Sequence, residues 1–206
     1  MKELLDKHDG FWWPKADREC RKFVTAWMVD LDHSVPLCKQ KRVAVQAGGN
    51  VGTWPVALSK QFEKVISFEP DPLNFHCMEL NCTASNIEIH QLGLGNEEAT
   101  YGMQRDEKNI GAHYLIPGDE VKIIELDSMN LENVDFLCLD IEGFEYQACL
   151  GAEDTISRCQ PVIHLEDKGL STKYEIPQGK VIEYLEKKHG YKMVKHVHRD
   201  YIFVPS

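Results

Sequence analysis

The sequence predicts an α/β domain with a mostly parallel sheet and helices on both faces. Three observations support this: short apolar strands alternate with helical segments from residue 42 onward, a glycine-rich turn follows the first strand, and carboxylates follow later strands. Strands that alternate with helices form parallel sheets, because each helix provides the right-handed crossover that parallel strands need. We expect the functional groups to gather at the carboxyl ends of the strands.

The chain divides at about residue 40. Residues 41–206 show the regular α/β pattern, whereas residues 1–40 lack it and hold three of the four tryptophans. Helical spacing of apolar residues over 17–30 predicts a helix, which Pro36 ends. We expect residues 1–40 to form a helical N-terminal extension that packs on the main domain or over its active site.

Each element of the main domain follows from its apolar pattern and its flanking glycines and prolines. The predicted strands are 43–47, 64–68, 87–92, 121–126, 134–139 and 161–165, and the predicted helices are 53–62, 73–84, 144–156 and 179–189. The strands 191–197 and 201–204 are separated by a short turn, so they predict an antiparallel hairpin that finishes the sheet. Residues 95–130 are otherwise an irregular insert.

Charge and hydropathy narrow the classes of function. The formal net charge is −10, which disfavours nucleic-acid binding because an acidic surface repels phosphates. No apolar run approaches the roughly 20 residues that span a bilayer. Residues 1–10 lack the apolar core of a signal peptide, so we expect a cytoplasmic protein without membrane contact. The seven cysteines include no Cys-x-x-Cys pair, which favours reduced, buried thiols over a zinc site.

Two features predict a nucleoside-containing cofactor. Residues 46–52, Gln-Ala-Gly-Gly-Asn-Val-Gly, form a glycine-rich turn between the first strand and the following helix, where the backbone can approach a ligand closely. Glu69 ends the second strand, where a carboxylate can accept hydrogen bonds from both ribose hydroxyls. The pattern Gly-x-Gly-x-x-Gly is absent, which disfavours a nicotinamide or flavin dinucleotide.

Ionisable groups follow two later strands. Asp140 and Glu142 come after the apolar strand 134–139, and His164 and Glu166 end the next one. Side chains two residues apart on a strand point the same way, so neighbouring strands would bring the four groups together. Such a group suits a general base or a hard divalent cation such as Mg²⁺. The alternative is that some of them are solvated charges at strand ends.

These motifs together resemble the FkbM family of S-adenosylmethionine-dependent methyltransferases. The resemblance spans roughly residues 43–166 and is carried by segments 48–52, 68–72, 125–128, 139–145 and 151–152. It implies a Rossmann-like class I methyltransferase fold with a seven-stranded sheet whose last strand is antiparallel. It also implies S-adenosylmethionine as cofactor and methylation of a hydroxyl oxygen on a sugar or small metabolite.

The resemblance also assigns residues. It implies that the glycine turn holds the methionine end of the cofactor, that Glu69 binds its ribose and that residues 92–94 flank its adenine. The predicted cofactor-binding residues are Gln46, Ala47, Gly48, Gly49, Asn50, Gly52, Glu69, Pro70, Leu92, Gly93, Leu94 and Asp140. Gln46 departs from the family, which usually has aspartate there, so we expect weaker cofactor binding at that contact.

The predicted catalytic residues are Asp140, Glu142, His164 and Glu166. His164 or Glu142 is the expected base, and Asp140 and Glu166 are expected to position the acceptor or Mg²⁺. His113 is a reserve candidate for the base. The aromatic residues expected to supply an acceptor pocket, unless they only pack, are Tyr101, His113, Tyr114, Trp12 and Trp13.

The sequence also leaves two other functions open. One is methyl transfer to protein or nucleic acid. The other is a catalytically weak, cofactor-binding scaffold, an interpretation that Gln46 keeps open. Neither the acceptor nor the oligomeric state follows from the sequence.

Overall fold

The computed structural model describes residues 2–22, 30–106 and 108–206. The strands are β1 Leu5–His8, β2 Phe11–Pro14, β3 Val43–Ala47, β4 Lys64–Phe68, β5 Ile87–His90, β6 Gly93–Leu94, β7 Ala99–Gln104, β8 Tyr114–Ile124, β9 Val134–Leu139, β10 Val162–Glu166, β11 Tyr191–Val197 and β12 Asp200–Pro205. The α-helices are α1 Leu31–Ser34, α2 Thr53–Ser59, α3 Pro72–Asn81, α4 Glu145–Leu150, α5 Glu153–Cys159 and α6 Lys180–His189.

Seven strands form the central sheet in the order β11-β12-β10-β9-β3-β4-β5. The strands from β10 to β5 are all parallel, and β12 runs antiparallel to both of its neighbours. This confirms the predicted α/β fold with its seven-stranded sheet and antiparallel last strand. The hairpin does not simply extend the edge, because β12 lies between β10 and β11.

Both faces of the sheet are covered because the central strands are apolar on both faces. In β9, Leu137 and Leu139 face the cluster that contains α4, α5 and α6. Phe136 and Cys138 alternate with them and face the cluster that contains α1 and α2. Burial of each such large side chain contributes about 1.5–3 kcal/mol. These two layers hold the carboxyl ends of the strands at one common edge.

The N-terminal extension contains a β-hairpin that the prediction missed. Strands β1 and β2 pair antiparallel around Asp9 and Gly10, which both have positive φ. In the predicted helix 17–30, residues 20–22 are helical and residues 17–19 are not, while 23–29 lie outside the described residues. Pro36 lies in a 3₁₀ turn that follows α1.

The hairpin docks on α3 through Asn81 and Trp13. The backbone N–H of Trp12 donates to Asn81 Oδ1 (2.8 Å), and Asn81 Nδ2 donates to the Trp12 carbonyl (3.0 Å). Trp13 is 2% exposed in a cluster with Val51 and Cys77. Trp12 packs against the same cluster, so both tryptophans have a packing role rather than the alternative of stacking on a substrate.

Residues 95–130 are more regular than predicted. Strands β7 and β8 pair antiparallel and form a second sheet with β6. The predicted helix 144–156 is divided into α4 and α5 at Gly151. A Cβ atom at Gly151 would lie 1.8 Å from the carbonyl oxygen of Gly95, so this position packs against the chain just after β6 and accepts no side chain.

Two further expectations concern cysteines and membranes. All seven cysteines are free thiols, and five of them are buried. In the part of the chain that the structure describes, no helix combines the length and apolar character needed to cross a membrane.

Truncation of Trp13 tests whether the hairpin belongs to the cooperative fold. We expect Trp13→Ala to lower the free energy of unfolding by about 3–5 kcal/mol, because it empties a buried site. Leu4→Ala is the control, since Leu4 is 57% exposed and its loss should change stability by less than about 0.5 kcal/mol. Urea unfolding measures both variants. An unchanged midpoint for Trp13→Ala would show that the hairpin unfolds separately.

Candidate active site

A cavity of about 750 Å³ opens at the carboxyl ends of β3, β4, β9 and β10. This is the edge at which doubly wound sheets bind ligands, and the volume lies in the usual range for small-molecule sites. Its walls come from the glycine turn, the strand-end carboxylates, the second sheet and the hairpin turn between β11 and β12.

The glycine turn is held by backbone contacts on both sides. The N–H groups of Gly48 and Gly49 donate to the carbonyl of Phe68 at 3.1 and 2.8 Å. Gly48 has φ +84°, and a Cβ atom there would lie 1.8 Å from the Asp140 carbonyl oxygen. Gly48 is therefore required by the close approach of the turn to the end of β9, in a backbone conformation that glycine adopts readily.

Gln46 stabilises this turn. Its side-chain oxygen accepts a hydrogen bond from Ser67 Oγ (2.5 Å), and its nitrogen donates to the Gly48 carbonyl (2.9 Å). The residue is 1% exposed, although it contributes to the cavity wall. An ionised aspartate could not donate to Gly48. Gln46 therefore acts on the shape of the turn, where the sequence suggested only a weakened contact with the cofactor.

Glu69 is fixed by two backbone donors. Asn50 N–H donates to Oε2 (2.7 Å) and Asp71 N–H donates to Oε1 (2.8 Å). The residue is 6% exposed and contributes to the cavity wall. Burial raises the pKa of Glu69 to about 7, although the two hydrogen bonds oppose the shift. Each carboxylate oxygen has a second acceptor site, so the group can receive two further hydroxyl donors.

Three carboxylates and one lysine meet at the opposite side of the cavity. Carboxylate oxygens of Asp140, Glu142 and Glu166 lie within 4.8 Å of one another. Lys168 Nζ lies 2.8 Å from Glu142 Oε1 and 2.6 Å from Glu166 Oε2. Burial, and then the charge of Asp140, raise the pKa of Glu166 to about 8, and Lys168 opposes the rise.

Asp140 is the carboxylate of this group that faces the cavity. Its side chain is exposed there, and among the described residues no group donates a hydrogen bond to it. Enclosure by the cavity walls, and then the Glu142 charge, raise the pKa of Asp140 to about 7. A carboxyl group with a pKa near neutrality is suited to accept a proton.

The loop after β9 is held by Glu145. Its carboxylate accepts hydrogen bonds from the N–H groups of Ile141 (3.0 Å) and Gly143 (3.2 Å). Glu142 lies between them with φ +57°, a conformation that is uncommon for residues other than glycine. The loop thereby directs Glu142 toward Lys168. Burial of the Glu145 carboxyl group raises its pKa to about 7.

His164, which the sequence analysis offered with Glu142 as the base, does not contribute to the cavity wall. It is 1% exposed beneath the cavity, and its Nδ1 lies 2.9 Å from Ser34 Oγ. Its Nε2 lies 3.3 Å from Asp200 Oδ2. His164 and Glu166 do face the same side of β10, but two residues along a strand separate them by about 6.6 Å in depth.

Most of the predicted cofactor-binding residues lie at the cavity. Those that contribute to its wall are Gln46, Ala47, Gly48, Gly49, Asn50, Glu69, Pro70, Gly93, Leu94 and Asp140. Gly52 and Leu92 do not contribute: Gly52 is the N-cap residue of α2, and Leu92 packs against the core. Of the candidates for the acceptor pocket, His113 and Tyr114 line the cavity, whereas Tyr101 packs against Phe144.

Several cavity residues escaped the sequence analysis. They include Cys20 from the N-terminal extension, Lys168 and Lys173 after β10, and His196, His198 and Arg199 from the last hairpin. The turn of that hairpin lies at the carboxyl edge because β11 runs parallel to the central strands. The predicted hairpin topology could therefore have indicated that the residues of its turn lie at the cavity. Nothing in the local sequence around Cys20 indicated its position.

The chain is thus an α/β domain with a cavity at the carboxyl edge of its parallel sheet. The family profile described as the methyltransferase FkbM domain matches residues 46–193. The chain therefore belongs to the FkbM methyltransferase family, and this membership supports methyltransferase activity.

Individual relatives are distant. "Methyltransferase 1" of Beauveria bassiana is 23% identical, over 74% of this chain and 75% of its own. The crystal structure of methyltransferase FkbM from Methylobacillus flagellatus KT superposes with a TM-score of 0.57 and 20% identity over 80% of this chain. This chain spans only 43% of that protein.

A second solved structure confirms the fold over nearly the whole chain. It is the N-methyltransferase NodS from Bradyrhizobium japonicum WM9 in complex with S-adenosyl-L-homocysteine. Its TM-score is 0.54 at 8% identity, and the match covers 93% of this chain and 91% of NodS. At identities this low, the two superpositions show a shared Rossmann-like fold alone.

Replacement of Gln46 by glutamate tests its role in the turn. We expect Gln46→Glu to lower the free energy of unfolding at pH 7 by about 1–3 kcal/mol, because a carboxylate cannot donate to Gly48. The buried acid would have a raised pKa. The deficit should therefore shrink as the pH falls toward the unfolded-state value of about 4.3.

Gln61→Glu is the matched control, because Gln61 is exposed. Denaturant unfolding between pH 4 and pH 8, a range chosen to bracket a titrating glutamate, measures both variants. An equal and pH-independent stability of Gln46→Glu and the wild type would contradict the assigned role.

Proposed function

We propose that this protein is an S-adenosylmethionine-dependent methyltransferase that transfers the methyl group to a hydroxyl oxygen of a sugar or small metabolite. The family supports methyl transfer, and one observation supports the rest. A single cavity joins the Glu69 carboxylate, at the glycine turn, to the Asp140 carboxylate at the end of β9. It thus has one group suited to a ribose and another suited to a reacting hydroxyl.

The chain's residues fit the cofactor at the Glu69 end. Glu69 is buried and already bound by two N–H groups, so its orientation is set before a ligand arrives. Its remaining acceptor sites match the two hydroxyls of a ribose. The glycine turn would hold the methionine end, and Gly93 and Leu94 would flank the adenine.

Asp140 is the proposed base. When bound, S-adenosylmethionine supplies a methyl group on a positively charged sulfur, which is already a good leaving group. Asp140 accepts the proton from the acceptor hydroxyl at a carboxylate oxygen, while the cavity walls hold that hydroxyl in line. Glu142 and Glu166 are already paired with Lys168, so they position rather than exchange protons.

A small acceptor agrees with the way the N-terminal extension borders the cavity. The N–H groups of Arg18 and Glu19 donate to the Lys108 carbonyl, and Asp17 accepts from the Ile110 N–H. These bonds hold the N-terminal extension beside the cavity, where Cys20 forms part of the wall. The net charge of −10 also disfavours a nucleic-acid acceptor.

Titration with S-adenosylhomocysteine tests the cofactor assignment. We expect binding that Glu69→Ala weakens about 10–100-fold, because hydrogen bonds to a charged group contribute about 1.5–3 kcal/mol. Glu63→Ala is the control, since Glu63 is exposed and lies outside the cavity wall. Calorimetry measures both variants, with NAD as the competing ligand class. Absence of binding by the wild type would refute the proposal as an active enzyme.

Replacement of Asp140 tests the base. We expect Asp140→Asn to lower turnover about 10²–10⁴-fold while S-adenosylhomocysteine still binds. In the wild type, turnover should fall about tenfold per pH unit below pH 7, because the proton acceptor is the ionised carboxylate and its pKa is raised to about 7. Asp119→Asn is the control at an exposed position.

Methyl-labelled S-adenosylmethionine and a panel of monosaccharides and phenols measure transfer. Full activity of Asp140→Asn would place the base elsewhere. Binding of S-adenosylhomocysteine without transfer to any member of the panel would favour the cofactor-binding scaffold or a macromolecular acceptor.

A further inference from the structure

Lys168 pairs with two of the three carboxylates of the cluster. It follows β10 by two residues, and its side chain is 21% exposed at the cavity. Its Nζ is within 2.8 Å of Glu142 and 2.6 Å of Glu166, so two of the cluster's three carboxylates share one ammonium group. The proposed base, Asp140, is the third carboxylate.

Three carboxylates at this spacing repel one another unless a cation lies among them. Their oxygens are close enough together to surround a single divalent ion. Magnesium prefers six oxygen ligands at about 2.0–2.1 Å. A protonated lysine has three donors and no lone pair, so it can pair with carboxylates but cannot ligate a metal.

The donor set therefore does not fit a divalent metal in this arrangement, because an ammonium group already pairs with two of the three carboxylates that the ion would need. We propose that Lys168 is the resident cation of this cluster and takes the place of a divalent metal. The catalytic role of the cluster rests on the proposed function. The pairing of Lys168 with the carboxylates does not depend on that function.

In this role Lys168 is a positioning residue. It holds Glu142, whose backbone already adopts an uncommon conformation, and Glu166 together on one side. Asp140 is thereby left open to the cavity beside them. A metal would instead bind all three carboxylates and compete with the proton for Asp140.

Manganese titration followed by electron paramagnetic resonance tests the proposal on the intact protein, with no acceptor needed. We expect the wild type to bind Mn²⁺ weakly. Lys168→Met should tighten binding at least about tenfold, because it removes a unit positive charge from among three carboxylates. The double variant Lys168→Met/Glu166→Gln should lose the gain.

Lys173→Met is the matched control. Lys173 also contributes to the cavity wall, but its Nζ lies 3.4 Å from the ring centroid of Tyr114 rather than between the carboxylates. Its removal changes net charge equally and should not create a tight Mn²⁺ site. Lys168→Gln is measured in parallel, so that a folding failure of the methionine variant does not remove the test.

Two results would overturn the proposal. One is tight Mn²⁺ binding by the wild type that Glu166→Gln abolishes, because a metal would then displace Lys168. The other is no gain for folded Lys168→Met or Lys168→Gln. Failure of the methyltransferase proposal appears separately, as absent S-adenosylhomocysteine binding.

Discussion

The backbone contact between the ends of β3 and β9 determines the geometry of the site. The Asp140 N–H donates to the Ala47 carbonyl, and the Asp140 carbonyl lies where a Cβ of residue 48 would be. The glycine turn and the carboxylate cluster thus share one rigid junction. The distance between the two ends of the cavity therefore depends on where two central strands end rather than on long loops.

Two buried polar side chains near this junction are held by hydrogen bonds within the protein. Gln46 joins the turn to Ser67, and Glu145 holds the loop that carries Glu142. Asp140 differs from these residues, since its carboxylate faces the cavity with no donor among the described residues. A carboxylate that already accepts hydrogen bonds from the protein has fewer acceptor sites left for a ligand. This contrast is the reason that we propose Asp140, rather than its neighbours, as the base.

Features set by a few adjacent residues were predictable, and features set by distant contacts were not. The glycine turn and Glu69 were predictable because each directly follows a short apolar strand that is recognisable in the sequence. The face of β10 on which His164 lies was predicted, but the depth of His164 below the cavity was not. The alternation of side chains along a strand indicates only which face of the sheet each one occupies. Only the second half of β8 was predicted, as strand 121–126, because the first half contains Pro117 and Gly118, which disfavour strands. The Asp9-Gly10 turn was a recognisable hairpin signal that the tryptophan pattern obscured.

The position of β12 has a consequence for how the molecule is assembled. Strand β11 pairs with the sheet only through β12, yet β12 follows it in the chain. Until β12 has been synthesised, β10 presents an open edge and β11 has no partner in the sheet. Unpaired strand edges promote aggregation. During translation, the chain therefore passes through a stage with most of its parallel core made and one edge unprotected, and ribosome stalling within the last hairpin would prolong that stage.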